Sequence, residues 1–236
     1  MSDGTVAIAQ SFVVTVVNTN DAPTIESVAV TAATEDAAYG YTFVGCDVDG
    51  DVLSLSAPVL PGWLSFDVMT GLLFGTPGDA EVGRHDVTLQ VTDGTVTVAQ
   101  SFVVTVNNVN DAPMIESVAV TAAMEDVAYG YSFSASDIDG DPLSLSAVVL
   151  PSWLAFDAAT GLLFGTPGNG EVGNHSVTLR VNDGSVNVDQ SFVVTVVNTN
   201  DAPMIGSTAK TTATEDAVYS YTLVATDVDG VDALTM

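Results

Sequence analysis

The sequence predicts an all-β protein built of tandem β-sandwich repeats of 90 residues. Three observations carry that prediction. The string Asn-Asp-Ala-Pro recurs at Asn20–Pro23, Asn110–Pro113 and Asn200–Pro203, which sets the period. Between recurrences lie short β-branched and aromatic stretches punctuated by Gly, Pro, Asn and Asp. No segment sustains the 3.6-residue apolar period of a helix.

The same register places Trp63 on Trp153, Phe12 on Phe102 and Phe192, and Asp3-Gly4 on Asp93-Gly94 and Asp183-Gly184. Residues 21–110 and 111–200 form two whole copies, identical at 65 of 90 positions. Residues 1–20 read as the last part of an earlier copy and residues 201–236 as the first part of a later one. Both ends are therefore expected to pack poorly. A unit of 90 residues exceeds a solenoid repeat and suits a self-contained sandwich.

Strands are predicted in the first copy over residues 25–32, 39–45, 52–57, 63–66, 72–75, 85–92 and 96–106, several with two-residue alternation. Asp49-Gly50, Leu60-Pro61-Gly62, Thr70-Gly71, Thr76-Pro77-Gly78 and Asp93-Gly94 supply the turns between them. Seven short strands with such turns indicate an Ig-like sandwich. The join between copies is short: Asn107-Asn108-Val109-Asn110 runs straight into Asp111-Ala112-Pro113, unlike a Gly/Ser-rich flexible linker.

Charge narrows the function classes. The chain carries 30 acidic residues against three basic ones, Arg84, Arg180 and Lys210, for a net charge of −27. Its apolar fraction of 47% separates it from an acidic disordered tail. Binding to nucleic acid or to an anionic membrane needs clustered Lys and Arg, so both are excluded as partners. A hard cation such as Ca²⁺ fits the charge, because carboxylates are its usual ligands. Cys46 is the one cysteine, and its counterparts are Ser136 and Thr226, so no internal disulfide forms and it reads as a small packing residue. No apolar run reaches membrane-spanning length, and residues 1–10 lack the basic and apolar regions of a signal peptide.

The acids that recur in both copies are Asp21/Asp111, Glu26/Glu116, Glu35-Asp36/Glu125-Asp126, Asp47/Asp137, Asp49/Asp139, Asp51/Asp141, Asp67/Asp157, Glu81/Glu171 and Asp93/Asp183. Nearly all fall in predicted turns or at strand ends. The Asp-x-Asp-Gly-Asp run at Asp47, Asp49 and Asp51, repeated from Asp137 and begun again at Asp227, places three carboxylates within five residues. Such a group repels itself at short range unless a cation or solvent screens it. Its glycine is at the fourth place and no Glu follows at the twelfth, so it is not an EF-hand loop.

Trp63-Leu64-x-Phe66-Asp67-x-x-Thr70-Gly71, Glu81-Val82-Gly83, Val91-Thr92-Asp93-Gly94, Phe102-Val103-Val104-Thr105-Val106 and Asn110-Asp111-Ala112-Pro113 follow one another in the order and spacing of a bacterial cadherin-like repeat. The chain resembles the dystroglycan-type cadherin-like family of secreted and surface proteins over essentially its whole length. That resemblance implies Ca²⁺ where one domain meets the next. Between the two complete copies it assigns Glu35 and Glu81, Asn108, Asn110 and Asp111, and Asp137, Asp139 and Asp183. For the junction before them it assigns Asn18, Asn20, Asp21, Asp47, Asp49 and Asp93. For the one after, it assigns Glu125, Glu171, Asn198, Asn200, Asp201, Asp227 and Asp229.

The sequence departs from animal cadherins at Asn108 and Ala112, where they carry Asp and Asn, and at Asn169, which replaces the acid present as Asp79. About one or two ions per junction, bound with dissociation constants on the order of 10⁻⁴–10⁻³ M, are expected on that ligand count. An inserted Val231 before Asp232 alters the third copy's turn.

Other candidates point to packing. Trp63 and Trp153 read as anchors between the sheets, and Tyr39, Tyr41, Tyr129 and Tyr131 as core or edge residues. His85 and His175 lack nearby nitrogen or sulfur partners for zinc and read as solvated or capping residues. The abundant acids do not define the two-carboxylate cleft of a glycosidase, and no nucleophile triad, phosphate loop or cofactor motif occurs. The sequence therefore predicts a non-enzymatic, secreted or cell-surface repeat region that acts as a Ca²⁺-stiffened spacer or adhesion segment, with neighbouring repeats, a cell surface or a polysaccharide as partners. The alternative is a Ca²⁺-dependent carbohydrate-binding module of a secreted polysaccharide-active protein. An exposed row of aromatics would favour it, whereas the aromatics here read as mostly buried.

Overall fold

A computed structural model describes residues 1–2 and 4–229. Asp3 of the first turn pair, and Val231 with Asp232 of the altered third turn, lie outside the described residues. The chain forms two compact units, Met1–Val109 and Asn110–Met236.

In the first unit the strands are β1 (Thr24–Ile25), β2 (Ala32–Thr34), β3 (Tyr39–Thr42), β4 (Gly45–Cys46), β5 (Ser54–Val59), β6 (Leu64–Asp67), β7 (Leu72–Gly75), β8 (Gly83–Thr92) and β9 (Thr97–Asn107). The second unit repeats them as β10 (Met114–Ile115), β11 (Ala122–Met124), β12 (Tyr129–Ser132), β13 (Ala135–Ser136), β14 (Ser144–Val149), β15 (Leu154–Asp157), β16 (Leu162–Gly165), β17 (Gly173–Asn182) and β18 (Asn187–Val197), followed by β19 (Met204–Ile205) and β20 (Ala225–Thr226). The fold is all-β, as the alternation predicts, with short 3₁₀ turns at Asp79–Glu81 and Asn169–Glu171.

Each repeat has a four-stranded sheet, ordered β2-β9-β8-β5 in the first and β11-β18-β17-β14 in the second. It also has a three-stranded sheet, β3-β7-β6 or β12-β16-β15. The long β8–β9 hairpin is set by its turn, where Asp93 Oδ1 accepts the Thr95 and Val96 amides at 2.6 Å each. Those bonds, with the Val96 amide foremost and the Asn20 side chain next, hold the Asp93 carboxyl below its ordinary range. Asp183 makes the same turn and is lowered for the same reasons, with Asn110 in place of Asn20.

Alternation on β8 and β9 turns Val87, Leu89, Val91, Val104 and Val106 inward, where they meet Tyr39, Tyr41, Leu64 and Leu73 of the other sheet. The second repeat builds the same core from Val177, Leu179, Val181, Val194, Val196, Tyr129, Tyr131, Leu154 and Leu163. Each fully buried aliphatic side chain contributes about 1.5–3 kcal/mol relative to exposure. At the corner between β6 and β7, Gly71 has φ +71°, and a Cβ there would fall 2.4 Å from the Phe43 carbonyl oxygen. Glycine is thus required both by conformation and by space.

Two predicted strands are broken. Residues 25–32 split into β1, antiparallel to β4, and β2, parallel to β9. Side chains take over the backbone groups between them: Ser27 Oγ accepts the Val44 amide at 2.9 Å and the Ser27 carbonyl accepts Gln100 Nε2 at 2.9 Å. Residues 39–45 split into β3 and β4 because the Phe43 amide leaves the ladder to donate to the Gly71 carbonyl at 2.8 Å. Nine strand segments per repeat therefore replace the predicted seven. Residues 4–20 are exposed, with an isolated Ser2–Ala7 bridge at their start.

Tyr39, Tyr41, Tyr129 and Tyr131 are core residues. Tyr39 OH donates to the Val30 carbonyl at 2.6 Å and Tyr41 OH lies 2.7 Å from Gln100 Oε1. Burial, with the neighbouring Tyr41 second, pushes the Tyr39 hydroxyl up to about 12, and Tyr129 follows with Tyr131. Raised values favour the neutral hydroxyl in the fold, so their stabilising contribution is complete below pH 10 and is lost as pH rises towards 12. A spectrophotometric titration should show two tyrosines ionising late, together with loss of the near-ultraviolet dichroism of the fold.

Trp63 is half-buried and meets Tyr39 edge-on at 5.7 Å and His85 at 5.8 Å. His85 Nε2 lies 2.6 Å from the Glu81 carbonyl, so the histidine braces the 3₁₀ turn and is packed on the indole instead of solvated. Trp153, His175 and Glu171 repeat this set. Cys46 is exposed, not buried, because β4 pairs only with β1 at the sheet margin.

Candidate metal centre

The acids gather where strands end. In the second unit, β11 runs into Glu125 and Asp126. The Glu125 amide donates to the Val197 carbonyl at 3.0 Å, and the Asp126 amide to the Pro167 carbonyl at 2.8 Å. Asp126 holds φ 60°, a left-handed conformation that Asp tolerates better than most residues. Asp36 and Asp216 repeat it at φ 56° and 61°. The Glu125 side chain is fully buried. Its Oε2 accepts the Thr199 amide at 3.0 Å, and its Oε1 has no hydrogen-bond partner among the described residues.

Carboxylate oxygens of Glu125, Asp126 and Asp201 all lie within 4.8 Å of one another. Asp201 Oδ2 accepts Asn169 Nδ2 at 2.9 Å, and the Asp201 amide donates to Asp229 Oδ2 at 2.6 Å. Asp229 is oriented in turn by its own amide, which donates to Asp227 Oδ1 at 3.0 Å. Asp229 Oδ1 is buried and unpartnered among the described residues. Asn200 Nδ2 holds the Asp201 carbonyl at 2.9 Å.

This donor set fits a hard cation. Three carboxylates at this range repel, and a buried carboxylate oxygen without a donor carries a desolvation cost of several kcal/mol. No basic side chain offsets it: Arg180–Asp189, at 2.7 Å, is the ion pair among the described residues. Calcium takes six to eight oxygens at about 2.3–2.6 Å, including bidentate carboxylates, and Glu125, Asp126 and Asp201 bring carboxylates of that kind together.

The Asp-x-Asp-Gly-Asp turns form a second kind of group. Asp47, Asp49 and Asp51 converge, as do Asp137, Asp139 and Asp141, each trio within 4.8 Å. Asp47 Oδ1 accepts the Asp49 and Asp51 amides at 2.9 and 3.3 Å, leaving Oδ2 buried without a partner among the described residues. Asp137 does the same, and Asp139 Oδ1 is also orphaned. The Asn-Asp-Ala-Pro strings dock on these turns. The Asp21 amide donates to Asp49 Oδ2 and the Asp111 amide to Asp139 Oδ2, both at 2.7 Å. Asn20 Nδ2 reaches Asp93 Oδ2 at 3.0 Å, and Asn110 Nδ2 reaches Asp183 Oδ2 at 2.9 Å. Glu35, at 2% exposure, accepts the Val109 amide through Oε1 and keeps Oε2 buried without a partner among the described residues.

Other residues in the implied ligand set stand apart. Glu81 and Glu171 spend Oε2 on the Gly78 and Gly168 amides at 3.0 Å, capping their own 3₁₀ turns. Asn18, Asn108 and Asn198 are exposed. Asp126, Asp51 and Asp141 join the groups although the resemblance did not assign them. Their recurrence in both copies was the available signal.

The family model described as "Putative Ig domain" (He_PIG) matches residues 22–107 and 112–197. The chain belongs to the He_PIG Ig-domain family. The He_PIG repeats are 29% identical over 160 residues to Chitinase A of Pseudoalteromonas piscicida, covering 66% of this chain and 19% of that protein. The chain thus spans about a fifth of the curated relative it matches. Human protocadherin-24 EC1-2 shares the fold, with a TM-score of 0.51 at 21% identity over 77% of this chain and all of that one. An endo-fucoidan hydrolase of glycoside hydrolase family 107 is 26% identical over 75% of this chain and 29% of its own, with a TM-score of 0.36. Among the described residues no helix is long and apolar enough to cross a membrane.

Proposed function

We propose that these He_PIG repeats form a calcium-stiffened extracellular spacer or adhesion region of a large surface or secreted protein. On this reading residues 21–110 and 111–200 are complete repeats, and residues 1–20 and 201–236 belong to their neighbours. The observation that carries it is the Glu125–Asp126–Asp201 group with its buried, unpartnered Glu125 oxygen. Glu125 and Asp126 come from one repeat, Asp201 from the next Asn-Asp-Ala-Pro string and Asp229 from beyond it. A bound Ca²⁺ would neutralise these charges. The chain's part is to hold the oxygens in place: Thr199 and Asn169 orient the carboxylates of Glu125 and Asp201, and the Asp201 amide fixes Asp229. The same residue types recur ninety positions earlier at Glu35, Asp36, Asn110, Asp111 and Asp139.

Calorimetric titration of the chain with CaCl₂ tests this. Binding with a dissociation constant on the order of 10⁻⁴–10⁻³ M is expected. Asn169→Asp, which restores the acid present as Asp79, should tighten a subset of sites about tenfold, the worth of roughly 1.4 kcal/mol from one added charge. Absence of calcium heat up to 10⁻² M, on the order of ten times the weakest expected constant, overturns the reading.

A second reading, carbohydrate binding in a polysaccharide-active protein, is supported by the match to Chitinase A and by two aromatics that sequence reasoning missed. Phe74 and Phe164 are 45% exposed on the outer face of the three-stranded sheets, each beside a glycine, Gly40 or Gly130. Retention on insoluble chitin that Phe74→Ala and Phe164→Ala together abolish would favour it. Passage through a panel of polysaccharides without delay removes it.

A further inference from the structure

The two repeats differ at one sheet edge. β5 and β14 are the outermost strands of their four-stranded sheets and pair with β8 and β17 on one side only. An open edge of this kind is a template for another strand, and proteins guard it with proline, charge or a bulge. In the first repeat Pro58 sits in the bulge between Ser56 and Val59. Asp86 and Val59 line one groove beside that edge. The second repeat keeps the bulge, between Ala147 and Val149, but has lost the proline and the acid: Val148 stands in place of Pro58 and Ser176 in place of Asp86. Its proline, Pro142, lies before the strand begins.

The result is an apolar run with neither proline nor charge in it. Val148, Val149 and Leu150 are 49%, 45% and 36% exposed, and Val193, which pairs with Ser176, is exposed too. No charged residue lies within β14. A net charge of −27 opposes association of two copies, but β14 itself sets no like charges against each other when it pairs with a second β14.

We propose that the second repeat self-associates through the β14 edge, two copies pairing antiparallel about a two-fold axis to join their four-stranded sheets. Antiparallel pairing of one strand with its own copy is self-complementary, and it closes at the dimer. A strand of six residues spans only about 20 Å, so the contact falls in the small, transient class. Screening the global charge strengthens it, whereas an ion-paired interface would weaken with salt.

Sedimentation velocity of the full chain, in chelator and at chain concentrations from 10⁻⁵ to 10⁻³ M, about the range of a transient contact, tests the proposal. A monomer–dimer equilibrium that strengthens between low and high NaCl is expected. Val148→Pro installs the residue the first repeat already folds with, and it should weaken association at least about tenfold. Ser176→Asp installs the second guard and should act in the same direction without a backbone change. The double exchange Pro58→Val with Asp86→Ser should open a second edge and yield species larger than dimers. A wild-type chain that stays monomeric throughout, or a dimer that both guarded variants leave unchanged, overturns the proposal. Circular dichroism of each variant confirms that lost association is not lost folding, and Ser176→Asp decides should Val148→Pro unfold.

Discussion

Adding 10⁻² M calcium to the chelated chain is expected to raise its melting temperature by roughly 5–20 °C. A ligand confined to the folded state stabilises by RT ln(1 + [L]/Kd), which at dissociation constants on the order of 10⁻⁴–10⁻³ M gives about 1–3 kcal/mol per site. For a repeat of 90 residues each kcal/mol shifts the midpoint by about 4–8 °C. The effect should be specific to the cation's chemistry and reverse with chelator. Magnesium, smaller and slower to shed water, should give less. Glu125→Gln keeps the side chain's shape and removes one charge, so it should reduce the rise while leaving the chelated melt the same or higher, because the orphaned charge is gone. Equal melts with calcium and chelator would mean that solvent alone screens these carboxylates.

The largest loss expected from a single substitution is at the centre of the second core. Leu163 is fully buried on β16, in register with Tyr131 on one side and Phe156 on the other. Leu163→Ala removes its packing and leaves a cavity between the sheets, at a cost of about 3–5 kcal/mol. That is a large part of the stability of a domain this size. Denaturant unfolding should show a low-midpoint transition for the second unit beside one near the wild-type midpoint for the first, whose own core is built around Leu73. A shift below 1 kcal/mol would show that the second repeat gains little from its core.

Much of this architecture is legible in the sequence because the chain prints it twice. Period, turns and inward alternation on β8 and β9 follow from residue type and spacing, and the structure keeps them within a residue or two. The breaks between β1 and β2 and between β3 and β4 were not legible. The first depends on Ser27 and Gln100, residues 73 positions apart, and the second on the Phe43 amide reaching the Gly71 carbonyl, bonds that take groups a local pattern assigns to the ladder. The acidic groups were half legible. Spacing identifies Asp47, Asp49 and Asp51, but nothing in the sequence distinguishes Glu125, fully buried with an oxygen left over, from Glu171, which caps its own turn. The exposed Phe74 was missed for the reverse reason: in Leu-Leu-Phe-Gly every apolar residue looks like core until the pairing with Gly40 turns it outward.

The pairing of β2 with β9 has a mechanical consequence. Thr31, Ala32, Ala33 and Thr34 near the start of the repeat run parallel to Thr105, Val106 and Asn107 at its end, joined also by the Thr105 amide to the Thr31 carbonyl at 2.9 Å and the Glu35 amide to the Asn107 carbonyl at 3.1 Å. Tension drawn through the chain pulls these strands past one another along their length. Their hydrogen bonds are then loaded together in shear and do not open one at a time as in a zipper. The second repeat clamps β11 to β18 in the same way. Each repeat thus places a parallel clasp where the polypeptide enters and leaves it, a geometry that resists extension.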